Sequence, residues 1–198
     1  MSKEKISLTD RVALSALKIA AKRPWSAVKL EEIAKATKTP LPELKKSFPG
    51  KSAVLSAIVS FIDKKSFQTV HMPGDGKSGV HDRLFEILMA RFDVMQKYRA
   101  SIASVAKASF HDPATASALL QAQFASMLAI MKLAGIESGG IKGVIKQAGL
   151  LLIYQTTLHR WISDDSRDMT PTMAVLGRGL GTAGKIMKIL ENCPVADV

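Results

Sequence analysis

Two adjacent lysines, Lys45 and Lys46, lie in residues 41–48, LPELKKSF, where apolar side chains recur at spacings of three and four. That spacing predicts a short helix with one buried apolar side. The other side would expose Pro42 and Glu43 together with the two lysines. A lysine ammonium binds phosphate as a point charge and also reaches the acceptor atoms of guanine. These residues predict a helix that contacts nucleic acid, and a three-helix bundle with a solvated lysine face is the alternative.

The positive charge of the chain is concentrated in its first third. The 198 residues carry a formal net charge of +11, and residues 1–67 hold 14 Lys/Arg against 6 Asp/Glu, whereas residues 68–198 hold 14 against 11. A basic block of this size attracts polyanions, with nucleic acid first and acidic membrane second. Lysines that only solubilise an apolar chain are the plainer interpretation.

Cysteine content and hydropathy indicate a cytoplasmic protein. The single cysteine, Cys193, can form neither an intramolecular disulfide nor a zinc cluster, and we expect no metal or cofactor. The first residues lack the apolar core of a signal peptide. The longest aliphatic run, LLLI at 150–153, is far shorter than the ~20 residues that cross a bilayer.

Helical periodicity runs through nearly the whole chain, and alternating strand patterns are absent, which predicts an all-α fold. Thr9 is the predicted cap of the first helix, and Pro24 ends it. The linker MPGDGKSG at 72–79 separates a basic head, residues 1–67, from a body, residues 80–198. Three short helices and a longer fourth in the head form a helix-turn-helix layout. The nine helices are predicted at 9–23, 30–36, 41–48, 51–67, 80–95, 99–110, 113–134, 141–162 and 171–190.

The apolar skeleton of the head is Trp25-x-x-Val28-x-Leu30-x-x-Ile33-Ala34, then Leu44, then Phe48-x-x-Lys51-x-x-x-Leu55. This spacing resembles the tetracycline-repressor (TetR) family of bacterial regulators over about residues 10–62. The resemblance implies a nine-helix fold, a helix-turn-helix that binds double-stranded DNA, a homodimer and an effector in the body. It places the DNA contacts at Lys29, Lys38, Thr39, Pro42, Glu43, Lys45, Lys46 and Lys51.

The turn before the third helix departs from the family pattern. The usual turn glycine is Lys38, and a non-glycine residue at a position needing positive φ costs roughly 1 kcal/mol unless the turn is remodelled. The usual capping serine is Pro40, which has no side-chain oxygen. The usual backbone-contacting tyrosine is Lys45, which keeps a phosphate contact possible. These substitutions alter the DNA-reading signature and leave the apolar scaffold intact.

The body is rich in apolar side chains that could bind an effector. Methionines suit irregular ligands, and Tyr154 and Trp161, seven residues apart, share a helix face. Any one of these residues is more typical of a packed core. The predicted ligand-binding set is Phe92, Met95, Phe110, Phe124, Met127, Met131, Tyr154 and Trp161.

Four glycines between positions 177 and 184 are unusual in a helix, because each costs about 1 kcal/mol relative to alanine. Close approach of a second helix would offset that cost. We predict a dimer interface along the last two helices, at Gly177, Leu180, Gly181 and Gly184, and a frayed terminal helix is the alternative.

Catalytic motifs are absent, since the chain has no nucleophile elbow, P-loop, dinucleotide fingerprint or paired-histidine metal motif. Asp164, Asp165 and Asp168 are interpreted as a solvated helix end. We therefore expect a regulator and not an enzyme: a DNA-binding transcriptional repressor controlled by an apolar small molecule.

The alternative function is lipid binding. The altered turn, the apolar body and residues 156–165, TTLHRWISDD, are similar to accessory proteins of ubiquinone biosynthesis, which share the TetR-like fold and bind isoprenoid lipids. Under that interpretation the basic head would meet an anionic membrane surface instead of DNA.

Overall fold

The computed structural model describes residues 6–70 and 79–192, with side chains through residue 186. Over this part of the chain the fold is all-α, with nine α-helices, a 3-10 turn at Trp25–Ala27 and no strand, as predicted. The predicted bounds agree with the observed ones to within a helical turn. The helices are α1 Leu8–Ala20, α2 Leu30–Thr37, α3 Leu41–Ser47, α4 Lys51–Thr69, α5 Val80–Gln96, α6 Arg99–Ser109, α7 Pro113–Leu133, α8 Gly140–Ile162 and α9 Thr170–Asn192.

The described residues form two compact units. The first contains residues 6–69 and Arg91–Ser126, and the second contains residues 70, 79–90 and 127–192. The compact unit that holds the helix-turn-helix therefore also includes α6. The division of function between residues 1–67 and 80–198 stays a prediction.

In the first unit, α1 is the central helix and packs against α2, α4 and α6. Its inner side chains, Val12, Ala16 and Leu17 among them, are fully buried. Ser7, not the predicted Thr9, caps this helix, because the helix begins at Leu8 and the Ser7 hydroxyl accepts a hydrogen bond from the Asp10 N–H at 3.1 Å.

A buried polar cluster joins α4, α5 and α7 within the first unit. Arg91 is only 1% exposed and forms an ion pair with the carboxylate of Asp63. Its Nη1 also donates to Ser126 Oγ at 2.9 Å, and that hydroxyl donates to Asp63 Oδ1 at 3.0 Å. Burial of an arginine is costly unless its charge is paired and its donors are satisfied, and this cluster provides both.

In the second unit, α8 and α9 pack along each other. Their connection was predicted to be a solvated acidic loop, and for Asp164 that prediction is wrong. Asp164 is 2% exposed, and its carboxylate accepts hydrogen bonds from N–H and hydroxyl groups of Ser166 and Thr172 at 2.5–3.0 Å. Burial opposes ionisation, but these hydrogen bonds outweigh it and lower the pKa of Asp164. The carboxylate therefore fixes the start of α9.

Among the described helices, α7 alone is long and apolar enough to cross a membrane by composition. Met127, Ile130 and Met131 on this helix are buried inside the protein. A core helix of a globular protein has the same composition, so this feature is weak evidence for a membrane span.

Candidate nucleic-acid interface

The turn between α2 and α3 ends α2 in a left-handed conformation. Lys38 has φ 53° and ψ 38°, and its N–H donates to the carbonyl of Lys35 at 3.2 Å. The next N–H, from Thr39, donates to the carbonyl of Ala34 at 3.0 Å. These two bonds satisfy carbonyls that the helix end would leave free. The turn that normally needs glycine is thus kept here with a lysine in its place.

The start of α3 has no side-chain cap. Pro40 occupies the N-cap position, with φ −54° and ψ 135°, and Pro42 lies in the first turn. Proline fixes φ near the helical value. It has no N–H, and in the first turn of a helix an N–H would have no partner within the helix. The two prolines are therefore compatible with a short, well-started helix.

The two sides of α3 differ as the spacing predicts. Leu44 and Phe48 are buried, whereas Pro42, Glu43, Lys45 and Lys46 are exposed. Together with the exposed Lys38, these four residues are called the α3 surface below. Lys45 and Lys46 form no ion pair with any residue that the structure describes, so their ammonium groups are available to an anion.

Two residues predicted to contact DNA form side-chain contacts within the protein. Thr39 is 8% exposed, and its hydroxyl donates to the carbonyl of Thr37 at 3.4 Å, so its side chain lies outside the α3 surface. The Lys51 Nζ donates to the carbonyls of Trp25 and Ser26 at 3.1 and 3.2 Å and lies 5.4 Å from the Trp25 ring centroid. Lys51 therefore joins the start of α4 to the 3-10 turn before α2.

Lys29 is exposed at the N-cap of α2. Its backbone N–H donates to Glu32 Oε2 at 3.0 Å, and Glu32 also forms an ion pair with Arg23. The hydrogen bond from Arg23, followed by that from the Lys29 backbone, lowers the pKa of Glu32. The positive charge of the Lys29 ammonium is a smaller cause of the same lowering of the Glu32 pKa, and this exposed group can also meet a phosphate beside the positive end of α2.

Comparisons with known proteins find structures with the same fold at low sequence identity. No family model and no curated protein matches the chain. The structure of a TetR transcriptional regulator from Nitrosomonas europaea matches with a TM-score of 0.68 at 19% identity, covering 90% of this chain and 99% of that one. A TetR transcriptional regulator from Rhodococcus sp. RHA1 matches with a TM-score of 0.63 at 18% identity, covering 87% and 92%. A TetR-family regulator from Streptomyces coelicolor matches with a TM-score of 0.52 at 17% identity, covering 91% and 83%.

The chain has the TetR fold. Over residues 6–70 and 79–192, the predicted nine-helix TetR-like architecture is therefore confirmed, including the short α2 and α3 of the helix-turn-helix.

In this TetR fold the predicted ligand-binding residues belong to both units. Phe92, Met95, Phe110 and Phe124 lie in the first unit, and Met127, Met131, Tyr154 and Trp161 lie in the second. Most of them are fully buried. Phe110 is 80% exposed after the end of α6, so its predicted place in the apolar interior is wrong.

The dimer interface predicted at Gly177, Leu180, Gly181 and Gly184 stays a prediction, and within the protomer a different glycine of α9 meets α8. A Cβ on Gly179 would lie 2.8 Å from Ile153 Cγ2, so Gly179, not Gly177 or Gly181, permits the close approach of α8. Gly177 lies near Phe85, and Leu180 is buried within the protomer. The exposed apolar residues of this pair of helices lie mainly on α8 instead, at Ile141, Val144, Ile145 and Leu152.

Proposed function

We propose that the protein is a DNA-binding transcriptional regulator, of the repressor type, whose α3 enters the major groove. The observation that carries the proposal is the α3 surface, where Lys45 and Lys46 lie exposed on the second helix of a helix-turn-helix and form no ion pair with a described residue. The TetR fold of transcriptional regulators supports the same function.

Different residues of the α3 surface contact the bases and the phosphates of the DNA. The first turn of a recognition helix meets base edges, and Glu43 there can accept a hydrogen bond from the amino group of cytosine. Lys45 and Lys46 lie in the last turn and meet phosphates or guanine acceptors. Lys29 and Lys38, at the two ends of α2, add positive charge that attracts the DNA backbone. Lys51 acts as a positioning residue, because its ammonium holds the 3-10 turn.

Homodimerisation through α8 would give the protein two recognition helices. Ile141, Val144 and Leu152 recur at helical spacing on an exposed stripe, and Ile141 and Leu152 are 81% and 69% exposed. Apolar patches of this kind mark protein interfaces. Two α3 helices in a symmetric dimer would read half-sites about one DNA turn, ~34 Å, apart.

An apolar small molecule would control DNA binding by favouring one spacing of the two heads. Such a ligand shifts the equilibrium only by the difference between its affinities for the DNA-competent and DNA-incompetent states. The residues predicted from the sequence to bind it stay a prediction, because they are divided between the two units. We expect the effector and DNA to weaken each other's binding by the same factor.

Charge reversal on α3 tests the proposal. We expect Lys45→Glu with Lys46→Glu to weaken binding to a duplex operator by at least about tenfold, because each reversal replaces a phosphate contact with repulsion. The matched control is Lys97→Glu with Lys132→Glu, which makes the same charge change at exposed positions outside α1–α4. Operator affinity equal to the parent's in the α3 variant, or equal losses in both variants, would contradict the proposal.

A further inference from the structure

The second unit contains a partly open cavity of about 850 Å³. Residues from the start of α5, the end of α7, α8 and α9 line it. Small-molecule sites in proteins have volumes of ~300–1,000 Å³, so this space is of the right size for a ligand.

Three helical glycines keep the cavity open. Gly149 on α8 and Gly181 and Gly184 on α9 all line it. A Cβ added at any of the three would meet no atom within 4 Å, so packing does not require glycine at these positions. Glycine weakens a helix relative to almost any other residue, and here each one adds volume to the cavity. We refer to this space as the glycine cavity.

The wall of the glycine cavity is mostly apolar, and its charged residues are few. Leu84, Met131, Leu150, Ile153 and Leu180 supply the apolar wall. A wall of this kind takes a hydrocarbon chain, because burial of apolar surface drives such binding.

The charged residues of the glycine cavity favour an anion. Lys146 on α8 and Lys185 on α9 line it, together with Glu137 and His81. His81 is already hydrogen-bonded to Asp82 at 3.1 Å. Neither lysine forms an ion pair with any residue in the described part of the chain. The single negative charge of Glu137 can balance only one of the two positive charges. A carboxylate or sulfonate would supply the missing partner.

We propose that the glycine cavity binds an amphiphile with a long apolar tail and one anionic head group, and that this amphiphile is the effector. The assignment of this amphiphile as the effector rests on the proposed regulatory function. Of the residues predicted from the sequence to bind the effector, only Met131 lines the glycine cavity. The effector site therefore lies between the start of α5, the end of α7 and the paired helices α8 and α9.

The direct test is displacement of 11-(dansylamino)undecanoate from the full-length protein by three ligands with the same twelve-carbon chain. We expect dodecanoate to compete best, dodecan-1-ol less well and dodecylamine least. Equal competition by dodecanoate and dodecylamine would overturn the anionic head group. Failure of all three to displace a probe that binds, or failure of the probe to bind, would overturn the cavity assignment.

Two variants locate the binding site. Gly181→Leu fills the cavity, and we expect it to weaken probe binding by at least about tenfold while raising the melting temperature by a few degrees. Gly149→Leu on α8 should give the same result independently. Thr182→Leu is the matched control, since Thr182 is exposed on the same helix and is not a lining residue. A folded Gly181→Leu protein with the parent's probe affinity would contradict the proposal.

The lysines have their own test, and it separates the ligand from the regulatory function. Lys146→Gln with Lys185→Gln should lower dodecanoate affinity about threefold to tenfold and leave dodecan-1-ol unchanged. Loss of both affinities alike would overturn the head-group assignment. The probe assay contains no DNA, so Lys45→Glu with Lys46→Glu should bind the probe like the parent. A parent protein that binds dodecanoate but no DNA would refute the proposed regulator and leave the cavity assignment standing.

Discussion

Replacing Lys38 with glycine should stabilise the protein, although it removes a positive charge from the α3 surface. The left-handed conformation of Lys38, φ 53° and ψ 38°, costs an L-residue about 1–2 kcal/mol. Glycine relieves that strain but gains freedom in the unfolded chain worth about 0.4–1 kcal/mol. The net gain in unfolding free energy is about 0.5–1 kcal/mol. In a chain of this size it corresponds to a rise in melting temperature of about 1–4 °C.

Lys35→Gly is the matched control, because Lys35 is also exposed, loses the same charge and lies inside α2 with helical geometry. Glycine inside a helix should cost about 0.5–1 kcal/mol. The two substitutions are therefore expected to change stability in opposite directions. The assay is equilibrium urea unfolding followed by circular dichroism, with thermal melts beside it. If Lys38→Gly destabilised the protein as much as Lys35→Gly, the turn would not be held in the left-handed conformation.

Three further predictions concern the buried charges and the dimer. Asp164→Asn should lower the unfolding free energy by about 1–3 kcal/mol at pH 7, because it removes charged acceptors from buried hydrogen bonds. Since the folded-state pKa of Asp164 is lowered, this difference should be complete above the unfolded pKa of about 3.9 and shrink as the pH falls below it; a difference independent of pH would contradict the assignment. Asp63→Ala should cost about 3–5 kcal/mol because it leaves Arg91 buried without its carboxylate, and Asp63→Leu combined with Arg91→Met should cost less in the same urea titrations. Leu152→Glu should reduce the mass measured by light scattering from twice 21.4 kDa to 21.4 kDa, whereas Leu120→Glu, at an exposed leucine of α7, should leave a dimer.

Helical periodicity was sufficient to predict most of the architecture. The buried and exposed sides of α3 follow from spacings of three and four, because side chains at those separations share a helix face. The position of Lys38 at a positive φ followed from the resemblance to the TetR family, and the structure confirms it. Both features are set within a few residues of the sequence, which is why they could be predicted.

Features that depend on distant contacts could not be predicted. Lys51 meets carbonyl groups about 25 residues earlier in the chain, and only the packing of α4 beside the 3-10 turn brings them together. Asp164 looked solvated because its hydrogen-bond donor Thr172 is eight residues away in the next helix. The glycine that contacts α8 is Gly179. Gly177 and Gly181 are two residues away on either side, and only the rotation of α9 about its axis decides which of the three faces α8.

The most direct test of the central claim is fluorescence anisotropy of the protein on a duplex from upstream of its own gene. A scrambled duplex of the same composition is the control, and both are titrated at about 50 and 200 mM salt. The account predicts tighter binding to the native duplex at both salt concentrations, and loss of that preference when Lys45 and Lys46 are both changed to glutamate. Equal binding to the two duplexes that disappears at the higher salt would contradict it, because the lysines would then respond only to the charge of DNA.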